Sequence, residues 1–301
     1  MAILRTPEER FENLPGYAFA PHYTTVRDPD LGDLRIHHVD EGPRDGPVAL
    51  LMHGEPTWSY LYRKMIPPMV AAGIRCIAPD LVGFGKSDKP SEKSDYTYAR
   101  HVRWMTAWFD QLGVSGVTLF CQDWGSLIGL RLLTGQPARF ARVCVSNGFL
   151  PTGDPAPGEA FFRWQQMSQM IPDFDSGMFV GLAAARPVTE ETKAAYNAPF
   201  PDESYKAGAR AFPLLVPASK DDPEHVPNTE AWKVLEAWDK PLLTAFGDSD
   251  PITAGADKQL QARVPGAKGQ PHTIVEKAGH FSQEDAGPEL AEILIRFMGR
   301  G

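Results

Sequence analysis

A short apolar run, Val117-Thr118-Leu119-Phe120, passes through Cys121-Gln122-Asp123-Trp124-Gly125 directly into a helical pattern, Ser126 to Leu133. A chain that goes from strand to helix over so few residues must turn sharply. Only small side chains fit at the two ends of such a turn, and the central residue is pushed out beyond the strand's end. The small residues here are Cys121 and Gly125, and the central one is Asp123. Strand, tight turn and helix in succession form the repeating unit of a parallel sheet covered by helices.

The rest of the chain repeats that unit. Apolar runs of strand length fall at 47–52, 74–78, 116–120, 142–146, 241–246 and 272–275, with helical patterns between them, as over 61–72 and 98–112. Short, nearly continuous apolar strands read as buried on both faces. Residues 24–26 and 34–39 read better as an antiparallel pair joined by the turn residues Asp28-Pro29-Asp30 and Gly32-Asp33. The alternation breaks over 151–230, which is rich in Pro, Phe, Met and Ala and has helical periodicity. The expected architecture is an α/β-hydrolase fold, a mostly parallel sheet with helices on both faces. Residues 1–150 and 231–301 would form its core and 151–230 a helical cap over the sheet's carboxyl edge, where open α/β folds bind ligands.

Three residues follow in the order nucleophile, acid, base: Asp123, Asp250 and His280. Asp250 lies in Phe246-Gly247-Asp248-Ser249-Asp250-Pro251, just after a strand, with Asp248 as its rival for the acid. His280 lies in Ala278-Gly279-His280-Phe281, ahead of the last helix. The order is that of α/β-hydrolases. The segment His53-Gly54-Glu55-Pro56-Thr57-Trp58 follows another strand, so the backbone amides of Glu55 and Trp124 are the expected oxyanion-hole donors.

Aspartate in place of serine changes the chemistry. A carboxylate is already ionised at neutral pH and can displace a leaving group from saturated carbon, leaving an alkyl ester on the enzyme. A histidine then activates water against that ester. The substrates to expect carry an electrophilic sp3 carbon, an alkyl halide or an epoxide. Indole is a donor only and suits a departing halide, so Trp124 and the cap residue Trp164 are candidate halide donors. Trp164 also reads as packing among Phe161, Met167 and Met170. An epoxide oxygen wants an acid such as tyrosine, and Tyr196 and Tyr205 keep that alternative open. A non-catalytic binding protein on the same fold is a third reading, against which the full set of nucleophile, acid and base speaks.

With these residues assembled, the chain resembles the haloalkane dehalogenases. The likeness includes the run from His53 through Trp58 to Pro67, the run from Ala78 to Pro90, the elbow Gln122-Asp123-Trp124-Gly125, the cap run Tyr196 to Asp202 and Ala278-Gly279-His280-Phe281. The resemblance implies a cofactor-free hydrolase that converts halogenated alkanes to primary alcohol, halide and proton, with Trp124 and Trp164 holding the halide. Another branch of that family has an asparagine halide donor where this chain has Glu55, and its acid follows the strand before the cap. Asn147 stands at that place here, which favours Asp250.

Composition sets the remaining expectations. With 43% hydrophobic residues in 301 the chain can bury a large core, and a net charge of −8 with no basic stripe argues against nucleic acid. No stretch approaches the about 20 apolar residues of a membrane span, and the charged first residues do not read as a secretory signal. Cys76, Cys121 and Cys144 lie in or beside apolar runs without metal spacing. A cytoplasmic monomer whose partners are its halogenated substrate and a halide ion, with no metal, is the resulting expectation. Gly83-Phe84-Gly85-Lys86-Ser87 fails the spacing of a phosphate loop because Asp80 occupies the required glycine position. His37 and His38, adjacent on a strand, point to opposite faces and read as ordinary strand residues.

Overall fold

The computed structural model describes residues 2–299. The outermost ends of the two expected core segments, residues 1 and 300–301, lie outside the described residues. The strands are β1 Ile3–Leu4, β2 His22–Asp28, β3 Gly32–Glu41, β4 Val48–Met52, β5 Arg75–Pro79, β6 Lys89–Pro90, β7 Val117–Cys121, β8 Phe140–Val145, β9 Leu242–Gly247 and β10 Thr273–Val275. The α-helices are α1 Ile66–Ala71, α2 Tyr98–Leu112, α3 Trp124–Gly135, α4 Glu159–Met170, α5 Ser176–Ala183, α6 Glu190–Asn197, α7 Ala207–Ala211, α8 His225–Leu235, α9 Ala256–Arg263 and α10 Ser282–Phe297.

Eight strands form one sheet in the order β10-β9-β8-β7-β4-β5-β3-β2. Within this order the pairings among β10, β9, β8, β7, β4 and β5 are parallel, while β3 pairs antiparallel with both β2 and β5. Every residue of β4 and β7 is buried. These central strands therefore carry apolar side chains on both faces, which is why their sequences do not alternate. Strand β3, nearer the edge, holds His37 and His38 on opposite faces: His37 Nδ1 lies 2.7 Å from Asp80 Oδ2, and His38 packs edge-on against Trp108. Asp80 also accepts the amides of Ser59 and Lys86, both at 2.8 Å. The 83–87 segment is thus a turn folded around a buried carboxylate.

Helix α2 shows how local sequence sets an element. Thr97 caps its amino end by accepting from the Arg100 amide at 3.1 Å, and Gly113 ends it in the left-handed region at φ 64°. Its buried face, Tyr98, His101, Trp104, Met105, Trp108 and Phe109, follows helical spacing and packs on the sheet. The helix expected over 61–72 is divided. Residues Ser59–Tyr62 form a 3-10 turn and α1 begins only at Ile66, because Pro67 and Pro68 lack amide donors and fit a helix only in its first turn.

Helices α4 to α7 are inserted between β8 and α8. Helix α8 begins within the 151–230 stretch and docks on α3, where Arg131 donates to Glu224 and Asn228, both at 2.8 Å. All three cysteines are buried and free. Among the described residues no helix is long and apolar enough to cross a membrane.

Candidate active site

The turn after β7 places Asp123 at the amino end of α3 with φ 49° and ψ −129°. A non-glycine residue there is strained, and the surrounding packing must hold it. Two glycines make the close approach possible. A Cβ on Gly125 would collide with the Met52 carbonyl, and one on Gly54 would collide with the Asp123 carboxylate itself. The Asp123 amide donates to the Asn147 carbonyl at 3.0 Å, and the Ser126 hydroxyl donates to the Asp123 carbonyl at 2.6 Å. The nucleophile candidate is fixed by its backbone, leaving its carboxylate free to meet other groups.

One such group is the Glu55 amide, which donates to Asp123 Oδ1 at 2.7 Å. The Trp124 amide opens α3 and so has no acceptor within the helix. Of the two amides sought as hole donors, that of Glu55 meets this carboxylate, and that of Trp124 has no intrahelical acceptor. His53, just before, is buried between neighbours: its Nδ1 lies 2.8 Å from the Gly54 carbonyl and its Nε2 accepts from the Leu81 amide at 3.0 Å. This pairing fixes the loop. The Glu55 side chain is buried, with Oε1 unpartnered among the described residues. Burial, and then the charge of Asp123, push its carboxyl well above the usual range.

His280 bridges two carboxylates. Its Nδ1 lies 2.9 Å from Asp250 Oδ2 and its Nε2 lies 3.4 Å from Asp123 Oδ2. Burial alone would lower its pKa, but the Asp250 charge and the hydrogen bonds of both carboxylates raise it to about 10. The same contact, with Thr253 and Asn147 donating as well, outweighs burial at Asp250 and holds that carboxyl below the usual range. Asp250 accepts from Asn147 Nδ2 at 3.0 Å, from the Ile252 amide at 2.9 Å and from the Thr253 hydroxyl. Asp248 turns the other way, accepting from its neighbour Ser249 and from the Lys277 and Ala278 amides. Of the two rivals only Asp250 meets the histidine.

These groups open into a cavity of about 500 Å³ under the inserted helices. Its walls are mostly apolar, Phe161, Met167, Phe179 and Val216 among them, and Asp123, Trp124 and Trp164 also line it. Trp124 is wedged edge-on between Tyr98 and Phe212, at centroid distances of 5.0 and 4.5 Å. Of the neighbours expected around Trp164, Phe161 and Met167 line the same cavity, while Met170 is 71% exposed. Trp164 lies edge-on to Phe179 at 4.8 Å. No described protein acceptor takes either indole N–H.

Tyr196 and Tyr205 are not part of the cavity lining, which contains no tyrosine. Tyr196 donates instead to Glu284 at 2.7 Å. Sequence reasoning missed Thr253 and Gln122, whose side chain donates to the His280 carbonyl at 3.0 Å. Gln122 had a signal in its place beside Asp123; Thr253 had none. Among the described residues no group of three or more His, Cys, Asp or Glu is placed to hold a metal.

Residues 47–287 match the family model described as alpha/beta hydrolase fold. A haloalkane dehalogenase of Psychrobacter cryohalolentis is 56% identical over 99% of this chain and 98% of its own length. One of Mycobacterium marinum is 52% identical over 98% of this chain and 99% of its own. The chain belongs to the haloalkane dehalogenase family. A solved member of that family, the tetrameric enzyme of Paraglaciecola agarilytica, superposes with a TM-score of 0.89 at 37% identity, covering 97% of each chain. Likeness to the dehalogenases therefore runs through the inserted helices as well as the sheet.

Proposed function

We propose that this dehalogenase works through a covalent alkyl ester of Asp123, with His280 as base, Asp250 as acid and Trp124 and Trp164 as halide donors. The overall reaction is haloalkane plus water to primary alcohol, halide and a proton. Asp123 Oδ1 is held by the Glu55 amide, so Oδ2 is the oxygen left to attack. It displaces the halide in line from the substrate carbon, and the two indole N–H groups receive the departing anion in an apolar cavity. The amides of Glu55 and Trp124 then stabilise the oxyanion at Oδ1 when water adds to the ester carbonyl.

The timing of the base follows from charge. In the free protein two carboxylates hold His280 protonated, with a pKa of about 10. Alkylation neutralises Asp123 and removes one of them. His280 Nε2 can then lose its proton to solvent, the proton of the overall reaction, and take one from the attacking water, while Asp250 balances the imidazolium that results. The ester Cγ–Oδ2 bond then breaks, the alkoxide leaves as alcohol with the imidazolium's proton, and the new Asp123 carboxyl returns its own proton to His280.

The observation that carries this reading is the meeting of Asp123, the Glu55 amide and the His280–Asp250 pair in a cavity without tyrosine. An epoxide oxygen would find no tyrosine acid there. We further propose that 151–230 acts as a cap on a core of 1–150 and 231–301, and that the protein is a cytoplasmic monomer. Sedimentation would decide this state against a tetramer like that of the Paraglaciecola relative.

The functional test is halide release from terminal haloalkanes at neutral pH, with epoxides in parallel. Halide release by the wild type and an alkyl adduct on Asp123 in His280→Phe are expected. Diol from epoxides with no halide from any haloalkane would overturn the assignment.

A further inference from the structure

The loop that carries His280 is tied to the inserted region by a carboxylate to which the chemistry above gives no part. Asp285 lies in the first turn of α10 and is buried at 6% exposure. Its Oδ2 accepts from the Gly279 amide at 2.8 Å and from the Ala185 amide at 2.9 Å. Its Oδ1 accepts from the Arg186 amide at 2.8 Å. One side chain therefore joins the residue before His280 to the segment after α5, and residues 183–185, from the end of α5 into that segment, line the cavity. The join continues in the backbone, where the His280 amide donates to the Ala183 carbonyl at 2.9 Å. There is no room for slack, since a Cβ on Gly279 would collide with that same carbonyl.

We propose that Asp285 is a positioning residue for the hydrolytic half of the reaction, holding the His280 backbone and the cavity wall in register. The inference rests on the ester mechanism proposed above. Its selectivity comes from where the ties fall. Asp123 is held by Asn147, Ser126 and Glu55, none of which Asp285 touches, so the attacking carboxylate keeps its place without it. Ester hydrolysis does, because it requires the imidazole Nε2, already 3.4 Å from Asp123 Oδ2, to align with a water. A carboxylate suits the task because three amides converge on it and two oxygens can accept them all. An amide in its place has one oxygen and must turn its own N–H toward at least one backbone N–H.

The test separates the two half-reactions in the full-length protein. Asp285→Ala removes all three acceptors. It should still release a burst of about one halide per folded enzyme, followed by steady turnover about tenfold to a hundredfold slower than wild type, with the alkyl-enzyme accumulating by intact mass. Asp285→Asn, which can keep Oδ2's two partners, should lie between. A structural role alone would lower burst and steady rate together, in step with the folded fraction and with no adduct; that result overturns the proposal. If Asp285→Ala does not fold, Asp285→Asn decides, and a wild-type partition in it also overturns the proposal. Absence of any halide from the wild type would instead defeat the ester mechanism itself.

Discussion

Asp123→Asn should lower the pKa of His280 as ester formation would, because it neutralises the same carboxylate at nearly constant shape. The pair is separated by 3.4 Å, and the Asp123 side chain is 22% exposed. An effective dielectric of about 20 puts the attraction near 5 kcal/mol, and solvent access reduces it to about half. About 2–3 kcal/mol corresponds to roughly two pH units on a titration midpoint. The His280 midpoint, about 10 in the free protein, should therefore move toward neutrality in the variant. Ring nitrogen NMR on histidine-labelled protein would follow it directly. An unmoved midpoint would mean that Asp250 alone governs the imidazolium, and the idea that alkylation releases the base would have to be abandoned.

Asp250→Asn should leave the halide burst intact and slow steady turnover by at least about a hundredfold, as rapid-quench halide measurements would reveal. Trp164→Phe and Trp124→Phe should each weaken halide binding about tenfold or more through loss of one N–H donor to an anion, read from quenching of the remaining tryptophan fluorescence; an unchanged affinity would remove that indole from the site. Gly54→Ala should abolish displacement, because the added methyl collides with the Asp123 carboxylate; normal burst kinetics would refute that. Stability should fall in acid through Glu284. Burial opposes its ionisation, but Arg63 and Lys64 bring its pKa to about 2. With the folded value below the unfolded one, its contribution is present above about pH 4.5 and lost as pH falls toward 2. Chemical denaturation across that window should show a shallower loss in Glu284→Gln.

What could be read from the sequence is what local sterics or two-sided burial imposes. The central strands and α2 were legible because most of their buried positions carry apolar side chains, and the elbow because its turn admits only small neighbours. The split of the 61–72 helix was written in Pro67-Pro68, which periodicity alone passes over. Asp248 and Asp250 stand two residues apart after one strand, so only the turn that follows could tell them apart. Partners brought together over about a hundred residues or more, Asn147 with Asp250 or Asp285 with Ala185, left no local trace. Tyr196 looked like an acid for epoxides until its direction was known, and it points to Glu284.

Asn147 and Asp250 follow neighbouring strands, and one 3.0 Å hydrogen bond joins their side chains. They differ only in whether a terminal group is an amide or an anion. Trading them, with Asn147→Asp and Asp250→Asn together, conserves volume and the link between them while handing the negative charge to the adjacent strand end. The exchange would move the counter-ion's charge across one hydrogen bond, from one strand end to its neighbour, without rebuilding the sheet.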